Sequence, residues 1–139
     1  MKPVEMRNIN GRPGDCLNAC VASILDLPYE QVPFFNLYGD GWHYTYVSFM
    51  RSHGWGLWEF AIWGCDVPLW QFGTRQTGYK LYVPGYWLAS VLSPRIIDEH
   101  GKSGLHAVVM KGNSVAWDPH PQRDMGHLGF IEATILVPA

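Results

Sequence analysis

From Gly14 to Leu25 the chain reads Gly-Asp-Cys-Leu-Asn-Ala-Cys-Val-Ala-Ser-Ile-Leu, with Leu17, Cys20, Val21, Ile24 and Leu25 at helical spacing. One side of this segment must therefore be buried, and the rest of the chain must supply a surface for it. Asp15 fits the N-cap position, which places Cys16 in the first turn. There the helix dipole and the unpaired backbone N–H groups favour thiolate over thiol.

The surface is readable further along. Leu105–Met110, Ser114–Trp117 and Phe130–Val137 have strand character, the first two joined by Lys-Gly-Asn, and together predict antiparallel strands. Leu57–Trp63 and Lys80–Val83, rich in Trp, Phe, Ile and Tyr, read as two more strands. Residues 64–79 read as loop, and Tyr86–Leu92 fits either a short helix or a strand. Before them, residues 1–13 form an extended lead-in ending in the turn Gly-Arg-Pro-Gly. Asp26–Pro33 reads as a short helix or turn started by Pro28 and stopped by Pro33. Gly41–His53 reads as a helix with Trp42, Tyr46, Phe49 and Met50 on one side and Gly54 as its C-cap. The outline is α+β, with a helical first half and a β-rich second half.

With 139 residues, 47% of them hydrophobic and only 16% charged, the chain is long and apolar enough to form one domain over residues 1–139. A formal charge of −2 gives no electrostatic footprint for nucleic acid or an anionic membrane. No stretch approaches the length of a membrane span and the first residues lack a signal-peptide run, so a cytoplasmic protein is expected. The three cysteines cannot all pair, and Cys16 and Cys20 lie one helical turn apart, a poor geometry for a disulfide. Seven Trp, seven Tyr and six Phe exceed what a small core needs. Trp55, Trp58, Phe60, Trp63, Trp70 and Phe72 are expected to divide between the core and the wall of a groove.

Cys16 acquires partners from the β half. His106 opens an apolar run ninety residues downstream and Asp118 follows the next one. A thiolate attacks carbonyl carbon, an imidazole stabilises its charge and later protonates the leaving group, and a carboxylate fixes the imidazole. Strand register decides whether they meet. An odd loop such as Lys111–Asn113 sets His106 opposite Asp118. A regular two-residue turn at Gly112–Asn113 sets them on opposite faces unless a bulge corrects the parity. The backbone N–H of Cys16 would serve an oxyanion hole, with Asn10, or its neighbour Asn8, as the side-chain donor.

Asp15-Cys16 opening a helix that continues Ala19-Cys20, His106-Ala107-Val108-Val109 starting a strand, and Asp118-Pro119 after the next resemble the papain-like cysteine peptidase superfamily. The similarity is to its compact bacterial and phage branch, which includes the leader peptidases of bacteriocin exporters. It covers the first 35 residues and roughly 103–121. The resemblance implies a papain-like fold, in which an N-terminal helix carrying the cysteine packs on a C-terminal antiparallel sheet. It implies Cys16 as nucleophile, His106 as base and Asp118 as the orienting residue. It also implies a peptide or protein substrate, no cofactor, and, were the chain phage-encoded, action in the host cytoplasm. The chain departs from the pattern twice: Asn10 stands where Gln is usual, and Leu17 where Gly commonly follows the cysteine.

Two other readings compete. The departures suit a degenerate module that grips a peptide or partner protein without cleaving it. Cys16 and Cys20 with His106, His120 or His127 offer zinc ligands, but Cys-x3-Cys on a helix lacks knuckle spacing and no second pair exists, so no metal is expected. The segment from Asp118 to His127 reads as a solvated loop, or as a rim over the cleft with His120 or His127 on substrate. Cys20 and Cys65 are expected in the core, and His43 and His53 in surface or capping roles.

Overall fold

The computed structural model describes residues 1–9, 14–61, 85–97, 103–112, 114–123 and 130–139. Among these, helices α1 (Cys16–Leu25) and α2 (Trp42–Ser52) precede five strands. The strands are β1 (Trp55–Ala61), β2 (Tyr86–Ile97), β3 (Ser103–Lys111), β4 (Ser114–Trp117) and β5 (Phe130–Pro138). They form one antiparallel sheet in the order β1-β5-β2-β3-β4, and the fold class is α+β. No helix among the described residues is long and apolar enough to cross a membrane. The expected strand Lys80–Val83, the loop 64–79 and most of the Gly-Arg-Pro-Gly turn lie outside the described residues.

Helix α1 is enclosed on more than the one side its spacing predicts. Ala19, Cys20, Val21 and Ala22 are buried, and so are the polar Asn18 and Ser23. Each makes at least one hydrogen bond, although Asn18 Oδ1 has no partner among the described residues. Asn18 Nδ2 donates to the Pro33 carbonyl, while Ser23 Oγ donates to Ala19 O at 2.7 Å and accepts the Val4 N–H at 2.9 Å. The helix ends at Asp26 in the left-handed conformation (φ 56°), and the Leu27 N–H returns to Ala22 O at 2.9 Å. Between the helices, Asp26–Pro33 contains a single 3-10 turn, Tyr29–Gln31, and a longer 3-10 stretch covers Phe35–Gly41.

The main core lies between the helices and one face of the sheet. Cys20, Val21, Phe35, Tyr46 and Met50 pack there against Leu88, Ala107 and Val109, with Trp55 and Leu57 at its margin. Phe35 meets Tyr46 edge-on at 5.3 Å. Along β2 and β3 the alternate residues Trp87, Ala89, Val91, Val108 and Met110 are buried too, so both faces of the central strands are covered. That is why Tyr86–Leu92 shows no alternation, and its ambiguity resolves in favour of a strand. The β2–β3 ladder skips between Leu92 and Ile97, around Pro94, which has no N–H to give.

Helix α2 begins at Trp42 with Tyr46 and Met50 buried, and Gly54 (φ 87°) takes the left-handed conformation just beyond its end. Trp58 and Phe60 of β1 point away from the core, 61% and 45% exposed, and contact each other edge-on. They are surface, not core. Trp63, Trp70 and Phe72 lie outside the described residues.

Candidate active site

Cys16 is the first residue of α1 and is half-buried, and its entry is fixed from both sides. Asn36 Nδ2 donates to Gly14 O at 2.6 Å. Asp15, wholly buried, occupies the N-cap position but makes no side-chain cap. Asp15 thus stands at the N-cap as its sequence position predicts, but its carboxylate is taken up by donors outside the helix. Its Oδ2 accepts the Arg7 N–H at 2.8 Å and the Tyr29 hydroxyl at 2.5 Å, and its Oδ1 accepts the Asn8 N–H at 3.0 Å. Burial, and then the Asp15 hydrogen bond and charge, push Tyr29 up to about 12, so its hydroxyl keeps its proton and donates.

The helix meets the sheet at Ala107. β4 pairs with β3 only from Val109 to Lys111, so the stretch of β3 before Val109 runs past the end of its neighbour. Here α1 takes over: the Ala107 N–H donates to Cys16 Sγ and Cys20 Sγ donates to Ala107 O, each at 3.4 Å. The two cysteines of the Cys-x3-Cys pair therefore bracket one strand residue, and the nucleophile candidate lies beside the residue that follows His106.

Register then brings the acid to the base. Lys111 pairs with Ser114 and Met110 with Val115, a two-residue connection that would set His106 and Asp118 on opposite faces. The odd loop Lys111–Asn113 is thus not formed. Instead the ladder shifts, Val109 pairing with Trp117, and Ala116 is the extra residue of a bulge. The bulge restores the parity, and His106 Nε2 lies 2.8 Å from Asp118 Oδ1. Both side chains are about 4% exposed, so this bond is sheltered from water.

The electrostatics follow from that geometry. Burial alone would push His106 down, but its hydrogen bonds to Asp118 and Cys16 and their charges outweigh it, raising the ring to about 9. Nε2 is the ring nitrogen turned to Asp118. Asp118 Oδ1 also accepts the His120 N–H at 2.9 Å, whereas Oδ2 is buried with no partner among the described residues. A buried carboxylate so placed leans on the neighbouring imidazolium for compensation. Cys20, by contrast, is fully buried, and burial pushes its thiol well up, with the charges of Cys16 and Asp118 adding to the effect.

No protein-family model, curated protein or solved structure matches this chain.

Cys16, His106 and Asp118 are thus brought together. Asn10 lies outside the described residues, as do Cys65 and His127; Asn8 is half-buried, with its backbone held by Asp15. His120 departs from the expected substrate-facing rim. It is buried behind the dyad, its ring edge-on to that of His106 at 6.3 Å, and its Nδ1 accepts the Gln122 N–H at 3.1 Å. Only residues 121–123 of that described stretch are exposed. No group of three metal-ligating side chains occurs among the described residues. His43 bonds Glu59 at 2.7 Å across to β1, and His53 Nδ1 caps the Phe49 carbonyl at 2.9 Å. Asp15 is the site-building residue that spacing missed: its position next to Cys16 was visible, its partners at residues 7, 8 and 29 were not.

Proposed function

We propose that this chain is a thiol hydrolase of papain-like type that cleaves a peptide, isopeptide or other amide bond. Cys16 is the nucleophile, His106 the base and acid, and Asp118 the group that orients the imidazole. One observation carries the reading: a single buried ring lies 2.8 Å from Asp118 by Nε2, in the residue next to Ala107, whose N–H donates to Cys16 Sγ at 3.4 Å. The helix opening on a cysteine, docked against the strand that carries the histidine, supports the papain-like assignment.

In the first half-reaction the Cys16 thiolate attacks the carbonyl carbon, an S–C bond forms, and the C=O electron pair moves to oxygen. The backbone N–H of Cys16, ahead of the first intrahelical bond (Ala19 N to Asp15 O), is placed to receive that oxyanion. Asn10 is assigned the second donor on sequence grounds. The His106 imidazolium gives its proton to the leaving amine as the C–N bond breaks, leaving a thioester. In the second half, His106 takes a proton from water, hydroxide adds to the thioester carbon, and C–S cleavage releases the acid and restores the thiolate–imidazolium pair. An amine in place of water turns the same residues to acyl transfer. Leu17, where Gly is usual, is half-buried and packs against the core.

Alkylation by iodoacetamide, read at the Cys16 peptide by mass spectrometry, tests the reading. Rapid labelling at neutral pH that falls about 100-fold in His106→Ala is expected for a general acid–base partner. Equal labelling of wild type and variant would favour the non-cleaving peptide-binding module on the same scaffold.

A further inference from the structure

Asp15 spends its carboxylate away from the helix that follows it, and this has consequences for the site. An aspartate at an N-cap ordinarily satisfies the amides of the first turn, competing with any anion that would bind there. Here both oxygens turn outward to the successive N–H groups of Arg7 and Asn8, and Tyr29 completes the set. The Asp15 side chain consequently places no cap on the first turn of α1. The segment that Asp15 grips is anchored at the other end of the site as well. Met6 N donates to Pro119 O at 3.0 Å, and Trp117 Nε1 donates to Val4 O at 2.9 Å, on either side of Asp118. The stretch Val4–Asn8 therefore ties the residue before the nucleophile to the residues flanking the acid. Arg7 stacks on the Tyr29 ring at 4.1 Å, which fixes Tyr29 against the same segment.

We infer that Asp15 is a positioning residue for oxyanion stabilisation: it holds the Arg7–Asn8 backbone against the start of α1 and leaves the amides of the first turn open to the substrate oxygen. The inference rests on the hydrolase reading and adds to it a division of labour. Asp118 orients the base, while Asp15 orients the donors. It acts through the main chain, touching neither substrate nor sulfur.

Two reactions of Cys16 separate this role from simple structural support. With iodoacetamide the thiolate forms an S–C bond as iodide leaves, and no oxyanion develops. With p-nitrophenyl acetate it adds to the carbonyl, an oxyanion forms, and p-nitrophenolate leaves to give the thioester. In Asp15→Asn the amide cannot accept both N–H groups, so the acylation rate is expected to fall about 10-fold or more, short of the 100- to 1,000-fold or so that follows outright removal of an oxyanion donor. Alkylation of Cys16 is expected to stay within about 2-fold of wild type, since it draws on no oxyanion donor. Tyr29→Phe removes a single hydrogen bond and is expected to show a smaller loss, again in acylation alone. If Asp15→Asn does not fold, Tyr29→Phe decides the matter. Loss of both reactions in parallel, or of neither, overturns the role of Asp15 while leaving the hydrolase reading standing. A wild-type protein that is not acylated at Cys16 sinks the hydrolase reading and this inference with it.

Discussion

At the scale of single residues, the site turns on one imidazole with two partners. Burial opposes its charge, Asp118 and Cys16 favour it, and the balance lies at about 9. Because the folded value exceeds the ordinary unfolded value of about 6.5, the charged ring stabilises the fold fully below pH ~6.5, and that contribution is lost as pH rises through 9. Thermal melts from pH 6 to 10 should show a destabilisation in wild type, on the order of a few kcal/mol, that His106→Ala largely lacks. A fall in acyl-transfer rate is expected over the same alkaline window, since a neutral ring has no proton for the leaving group. Asp118→Asn should cut Cys16 alkylation at pH 7 about 10-fold or more, with the onset of the alkaline fall moved to lower pH; an unmoved profile would remove Asp118 from the site. His106 and Asp118 were legible as residue types in the right order. Asp15 was legible as the N-cap residue, but not its carboxylate's partners, because side chains of its kind choose between local and distant donors, and the distant ones leave no trace in spacing.

At the scale of elements, two joints do the positioning. The first is the bulge at Ala116, which turns an even connection into the parity that the His106–Asp118 pair needs. Inserting one glycine between Trp117 and Asp118 should send the carboxylate to the opposite side and reproduce the labelling defect expected of Asp118→Asn. Retained labelling would show that strand parity does not govern the pair. The second joint is Ala107, held by both cysteines of α1. Cys20→Ala removes the donor to the Ala107 carbonyl and should cost about 1 kcal/mol in denaturant unfolding, while alkylation at Cys16 persists. A collapse of that labelling would mean that Cys20 does more than pack. Strands β3, β4 and β5 and both helices were readable, because each has a clear period or cap. β2 was not, because burial on both faces erases the period-2 pattern, and the bulge was only one of two ways to satisfy parity.

At the scale of the molecule, the chain builds a site from three places far apart in sequence: the first turn of α1, the start of β3 and the residue after β4. The sheet fixes the last two relative to each other, the α1–β3 joint brings in the first, and Val4–Asn8 binds the assembly from outside. The pattern of helix and strand signals pointed to α+β, and the composition to a charge balance poor for nucleic acid. It carried no sign of the N-terminal segment as a brace, because hydrogen bonds from backbone to Ser23, Asp15 and Pro119 depend on three-dimensional proximity alone. The central claim is that one imidazole is shared by Asp118 and the Cys16 sulfur. A ¹⁵N NMR titration of the His106 ring, in wild type and in Cys16→Ala, measures this directly. The structure predicts a midpoint near 9 in wild type that drops once the sulfur is removed. A midpoint of about 6.5, unchanged by the substitution, would contradict it.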